Sequence, residues 1–394
     1  MGAVLTTPEQ RAGQSGRIDV LDGFRALAIL SVMFYHYIYS WTYPADRHGH
    51  IPVTTPLSQF VPFEYGWMGV YLFFGISGFV ILMTLERCRS LGDFAVRRFA
   101  RLWPPLFVAA TITTIAMALI GPPDWVVNRN DYLLSIAIID PFNWLSQKFL
   151  PGVKWVDGAY WSLWCEVRFY ALASVIYLLA RRNFVAVWLV FQAVVAGLEQ
   201  LHMDPHGNGG FLLNLVAFPP QLPYFTLGVC IYEIHSGGRL RSLAIAGAVL
   251  TGCLMLGNAA FETSTFMGKA ALPSFIGVCI ILTLFALFAI GHPVLNIFRA
   301  RPLVMLGQAS YSFYLIHMHV GVSIIRQAVL HGVPYLAAVP ATMALMFAAA
   351  LLLFRLVEVP AKTLIVRRST NLIGWIERFA PWLRYGPVPA KAGS

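Results

Sequence analysis

Apolar residues run in long blocks, separated by short breaks that are polar, basic or rich in proline. This pattern predicts helices of membrane-crossing length, since a span needs about 20 mostly apolar residues. Ten segments qualify, at 24–42, 66–85, 102–120, 159–180, 184–201, 214–235, 243–260, 271–290, 303–325 and 335–357. The first is expected to stay in place rather than be cleaved: it carries Arg25 and His36, ends in aromatics, and no small-residue cleavage site follows. Between the third and fourth spans, 121–158 holds a mildly apolar stretch from Tyr132 to Leu145. It is too short to cross, so a re-entrant or interfacial helix is expected there. After Pro360, Trp375, Phe379 and Trp382 lie among Arg378 and Arg384, the pattern of an amphipathic segment on anionic lipid. The simplest organisation is a cytoplasmic segment at 1–23, one membrane domain at 24–360 and a cytoplasmic or interfacial tail at 361–394. The fold class is all-α integral membrane.

Composition agrees with this pattern. Of the 394 residues, 58% are hydrophobic and only 12% charged, against about 45–50% and about 25% in soluble chains. That argues against a soluble enzyme, a disordered chain or a secreted disulfide scaffold. Charge placement then sets the orientation. With the N-terminus inside, cytoplasmic pieces hold 19 of the 28 Lys and Arg residues and outer pieces hold 6. Both termini are therefore expected in the cytoplasm. The five cysteines form no metal or disulfide pattern and read as structural. No metal constellation and no nucleic-acid signature is present.

Ionisable groups inside spans are costly unless paired or wet, so each one is a candidate functional residue. Arg25 and His36 are eleven residues apart on the first span, about 20° off a common face and roughly 16 Å along the axis. Asp22, three residues before Arg25, can hold it. The bland alternative is a snorkelling arginine and a core histidine. Arg98 and Arg101 share a helix face at the cytoplasmic mouth and suit a polyphosphate; the alternative is an anchor on anionic lipid. Ser77, in a run rich in small residues, has no base beside it and reads first as a packing or hydrogen-bonding group. Counting helical rise brings His36, Glu166 and His317, on three different spans, to roughly one depth. A His–Glu pair there would raise imidazole basicity. His319 faces away from His317, so His317 is favoured. Glu358 and Arg355 sit at a cytoplasmic helix end and read as structural.

These blocks together resemble the acyltransferase-3 family of bacterial membrane O-acyltransferases. The matching pieces are Leu21-Asp22-Gly23-Phe24-Arg25-Ala26 with the Arg25-x10-His36 spacing, Phe73-Phe74-Gly75-Ile76-Ser77-Gly78-Phe79, and Arg98-x-x-Arg101 before Pro104. Further along come Trp161-Ser162-Leu163-x-x-Glu166-x-x-Phe169-Tyr170, Tyr311-Ser312-x-Tyr314-Leu315-x-His317 and Glu358-x-Pro360. The resemblance spans about 17–362 in the expected order. It departs at Gly23-Phe24-Arg25, where Gly-Leu-Arg is common, and at Cys165-Glu166-Val167, where an acidic or small neighbour is more usual.

The resemblance implies a ten-helix bundle in the bacterial inner membrane, with no permanently bound cofactor. It would pass an acyl group, usually acetyl, from cytoplasmic acyl-CoA to a hydroxyl of a glycan, a glycolipid or lipid-linked sugar, or a sugar-bearing metabolite. Some relatives carry an esterase-like domain after the membrane domain; none is expected here, where few residues follow the last span. On this reading Arg25, Arg98 and Arg101 hold the CoA phosphates, Ser77 or another donor steadies the thioester oxygen, and His36 is the general base, oriented by Glu166 or His317. His36 is expected to share one cavity with the donor. The competing class is a proton-coupled transporter using the same His, Glu and Arg groups, for which no inverted repeat is visible.

Overall fold

In hydrocarbon a backbone must satisfy its own polar groups, and a helix does so within one segment. The computed structural model accordingly folds the apolar blocks as helices. It describes residues 8–43, 50–201, 208–265 and 271–385. Three of the Lys and Arg residues behind the orientation count, Arg47 and Lys269 of the outer pieces and Lys391 of the cytoplasmic ones, lie outside the described residues, as do the two ends of the chain.

The helices that build the bundle are α1 (Pro8–Phe34), α2 (Gly69–Arg87), α3 (Leu91–Ile120), α4 (Trp161–Ala180), α5 (Phe184–Gln200) and α6 (Leu222–His235). They continue with α7 (Arg241–Thr265), α8 (Ala271–Ala289), α9 (Ser310–Ile316), α10 (His319–Leu330), α11 (Tyr335–Leu353) and α12 (Val359–Phe379). Among the described residues, seven helical stretches are long and apolar enough to cross a membrane, or eight if α9 and α10 form one bent span. α1 is not one of the seven, because Asp19, Asp22 and Arg25 interrupt its apolar run. One of the seven stretches is 42 residues long and contains both α4 and α5. Phe169 and Trp188 touch across it, with ring centroids 5.4 Å apart. A continuous helix would hold those residues about 28 Å apart, so the chain reverses at the turn Arg181–Asn183.

Two expected helices differ in detail. The first span does not remain α-helical to residue 42: after Phe34 it widens into a π-helical turn, Tyr35–Ser40. The expected helix at 303–325 is broken. A short amphipathic helix (Arg301–Gln308) precedes α9, and α9 and α10 meet at a 56° bend. The break is stabilised from outside the segment: the Asp157 carboxylate accepts the His319 backbone N–H at 2.9 Å, replacing a bond within the helix.

The segment between α3 and α4 forms two short helices, Arg129–Ile136 and Trp144–Phe149, with Leu133, Phe142, Leu145 and Phe149 exposed, as an interfacial segment requires. A two-stranded parallel ladder joins Thr42–Tyr43 to Ile51–Thr54. α2 and α6 cross in close contact, their backbones meeting at Gly75, Gly78 and Gly228. A Cβ on Gly228 would lie 2.0 Å from the Gly75 carbonyl oxygen, and one on Gly78 2.0 Å from that of Phe225. Only glycine permits this approach. α12 packs along α3, while Trp375, Phe379 and Trp382 stay exposed.

Candidate active site

α3 begins at Ser90, whose hydroxyl oxygen caps the Asp93 N–H. Along its inner face it carries Arg98 and Arg101, three residues apart. Arg97 points away, bonding Asp93 at 2.7 Å with 44% of its side chain exposed. Arg98 and Arg101 meet Arg25 of α1 in one cavity. Ser77 of α2, Glu166 and Tyr170 of α4, and Tyr311 and Tyr314 of α9 also line it. Three guanidiniums and one carboxylate are among its lining residues, a set that suits an anionic ligand.

The three arginines differ in what already holds them. Arg25 is paired with Asp22 one helical turn back, as the i, i+3 spacing predicts. Arg101 interacts electrostatically with Glu358 and Glu166. Arg98 is held loosely: its Nε is buried without a partner, its terminal nitrogen makes a 3.4 Å bond to Thr84, and its guanidinium lies 5.7 Å from the Phe94 and Tyr170 rings.

Glu166 is placed differently from the sequence expectation. Its Oε1 accepts from the Ser77 hydroxyl at 2.8 Å and from the Tyr170 hydroxyl. Its charged neighbours are the arginines, and no hydrogen bond joins it to either imidazole. Ser77 spends its proton on this carboxylate and, as arranged, offers none to a thioester oxygen. Tyr170 was not singled out from the sequence, although its spacing of four from Glu166 on one helix was a usable signal.

His36 and His317 do come together, with ring centroids 5.3 Å apart. His36 is partly buried and His317 fully so. The Trp41 indole N–H donates to His36 Nδ1 at 3.3 Å. His317 Nδ1 lies 2.9 Å from the Tyr314 carbonyl oxygen, while its Nε2 is buried and unpartnered. The pair does not line the arginine cavity. Tyr314 links the two places: its ring lines the cavity and lies 5.4 Å from the His317 ring. His36 is separated from Arg25 along the helix axis, by roughly 16 Å.

His319 and Glu358 are both occupied. His319 stacks on Trp125 at 4.0 Å, and its nitrogens face the Val156 carbonyl at 3.0 Å and the Gly158 N–H at 3.4 Å. Glu358 is buried, accepts from Ser312 at 2.7 Å and interacts with Arg101. Trp41 and Asp157 were missed by sequence reasoning, because one acts through an indole N–H and the other through a distant backbone N–H.

A family model described as an acyltransferase domain matches residues 18–355. A peptidoglycan O-acetyltransferase of Listeria monocytogenes, OatA, is 25% identical over 338 residues, covering 76% of this chain and 49% of its own length. The acyltransferase MdmB of Streptomyces mycarofaciens is 27% identical over 323 residues, covering 77% of this chain and 79% of its own. The chain thus spans about half the length of the Listeria relative. No solved structure matches it. The family match runs from α1 to the end of α11 and takes in every residue of the cavity and of the imidazole pair, so the chain belongs to the acyltransferase-3 family.

Proposed function

We propose that this protein is a multi-pass membrane O-acyltransferase that draws an acyl group, acetyl in the usual case, from cytoplasmic acyl-CoA and passes it to a hydroxyl. The acceptor is a glycan, a lipid-linked sugar or a sugar-bearing metabolite. One observation carries this reading: Arg25, Arg98 and Arg101 converge on one cavity whose wall, at Tyr314, touches His317. Guanidiniums grip the phosphates of CoA, whose pantetheine arm is long enough for the roughly 16 Å from Arg25 to His36. The thioester then reaches the imidazoles past Tyr314, and the imidazole pair supplies the general base.

Counting α1 as a span, separating α4 from α5 and taking α9–α10 as one bent span gives ten crossings, with both ends of the chain in the cytoplasm. The basic residues concentrated on that side support the bacterial inner membrane as the location. Purified protein in detergent or vesicles, given radiolabelled acetyl-CoA and envelope glycans, should release CoA and label the acceptor. His36→Ala and Arg101→Ala should lose that label. Substrate uptake without acyl transfer would instead identify a carrier. Mass spectrometry of envelope glycans after deletion names the acceptor.

A further inference from the structure

The imidazole pair is asymmetric, and its hydrogen bonds assign each ring a tautomer. An indole N–H can only donate, so the His36 Nδ1 facing Trp41 at 3.3 Å carries a lone pair. The neutral His36 ring therefore holds its proton on Nε2. A carbonyl oxygen can only accept, so the His317 Nδ1 facing Tyr314 at 2.9 Å carries a proton. The neutral His317 ring therefore has its lone pair on Nε2, and that atom is buried without a partner. A buried acceptor left unpaired is unfavourable in the empty protein, and a hydroxyl placed there would relieve it. Tautomers assigned from partners in this way are directly measurable.

We propose that the two imidazoles divide the work by tautomer: His317 Nε2 removes the acceptor's hydroxyl proton, while His36 donates its Nε2–H to the thioester oxygen. This rests on the acyltransferase reading above and reverses the sequence-based choice of His36 as base. Trp41 is a positioning residue that keeps His36 in the donor form. As the hydroxyl oxygen bonds to the thioester carbon, its proton moves to His317 Nε2. The carbonyl oxygen takes up the negative charge against the His36 N–H. When the carbon–sulfur bond breaks, the proton on His317 passes to the departing sulfur. The products are the acyl ester and the CoA thiol, and both rings return to their starting tautomers.

Glutamine separates the two roles, because its amide reproduces an Nε2–H donor but is no base. Acyl transfer from radiolabelled acetyl-CoA is measured in proteoliposomes for His36→Gln, His36→Ala and His317→Gln. His36→Gln should stay within about tenfold of the parent, and His36→Ala should fall about 10²–10³-fold, the loss typical of an oxyanion donor. His317→Gln should fall about 10²–10⁴-fold, as loss of a general base does. If His36→Gln is as depressed as His36→Ala, or His317→Gln stays within tenfold, the assignment is overturned. Nitrogen-15 NMR of ring-labelled protein reads the tautomers without turnover or mutation at either histidine. It should find His36 Nδ1 bare and His317 Nδ1 protonated, with Trp41→Phe releasing His36 into a tautomer mixture. The opposite tautomers in the parent protein overturn the proposal. Absence of any acyl transfer by the parent protein would instead sink the acyltransferase reading.

Discussion

Replacing Arg98 by alanine should weaken acetyl-CoA binding far more than the same change at its neighbour Arg97. Arg98 lines the cavity, and its Nε is buried without a partner, so much of its desolvation cost is already borne by the empty protein. An anion that accepts from it adds a charge-assisted bond without displacing another strong one; its present bond to Thr84 is 3.4 Å long. Such bonds contribute about 1.5–3 kcal/mol, so the Kd for CoA should rise about 10–150-fold. Arg98→Lys keeps the charge but loses the fork and should fall between the two. Arg97 is 44% exposed, is held by Asp93 and does not line the cavity, so Arg97→Ala should change Kd less than about threefold. Equilibrium binding of radiolabelled CoA to protein in nanodiscs measures this without relying on a Michaelis constant. Equal losses at Arg97 and Arg98, or no loss at Arg98, would refute the cavity as the phosphate site.

Gly228→Ala should lower stability by about 1–3 kcal/mol or more, because its Cβ would sit 2.0 Å from the Gly75 carbonyl oxygen and 2.7 Å from the Phe79 nitrogen, both backbone atoms that cannot step aside; thermal unfolding in detergent reports it. Burial, followed by the nearby Asp93 carboxylate, pushes the Cys88 thiol up from 9.0 to about 11. At pH 7 its thiolate should be ~100-fold scarcer than that of an ordinary cysteine. Maleimide should therefore label it about that much more slowly than in unfolded protein, with the rate still rising tenfold per pH unit past pH 9. Glu377 accepts from Ser90 at 2.7 Å and pairs with Arg89 and Arg384, so it ties the tail to the start of α3. Glu377→Ala should cost about 1 kcal/mol, since both arginines are half exposed. Limited proteolysis should then cut more readily beyond α12.

The order of apolar blocks was enough to determine a helical membrane protein, because hydrocarbon leaves the backbone few other ways to satisfy its polar groups. Local spacing was equally sufficient for the Asp22–Arg25 pair and for the shared face of Arg98 and Arg101, since these depend only on helical period. What spacing cannot carry is contact between elements distant in the chain. Matched depth along separate helices suggested that Glu166 would meet an imidazole. The rotation of α4 and its close packing gave that carboxylate to Ser77, Tyr170 and the arginines instead. The break between α9 and α10 was hidden because the residues that stabilise it lie far away: Asp157 takes the His319 N–H from a separate segment. The tautomers of His36 and His317 depend on an indole N–H at Trp41 and a carbonyl at Tyr314. Each of those bonds is local in the chain, but the meeting of the two rings at 5.3 Å joins distant elements, and only the folded arrangement brings it about, because such a contact is decided by direction and a few ångströms rather than by sequence spacing.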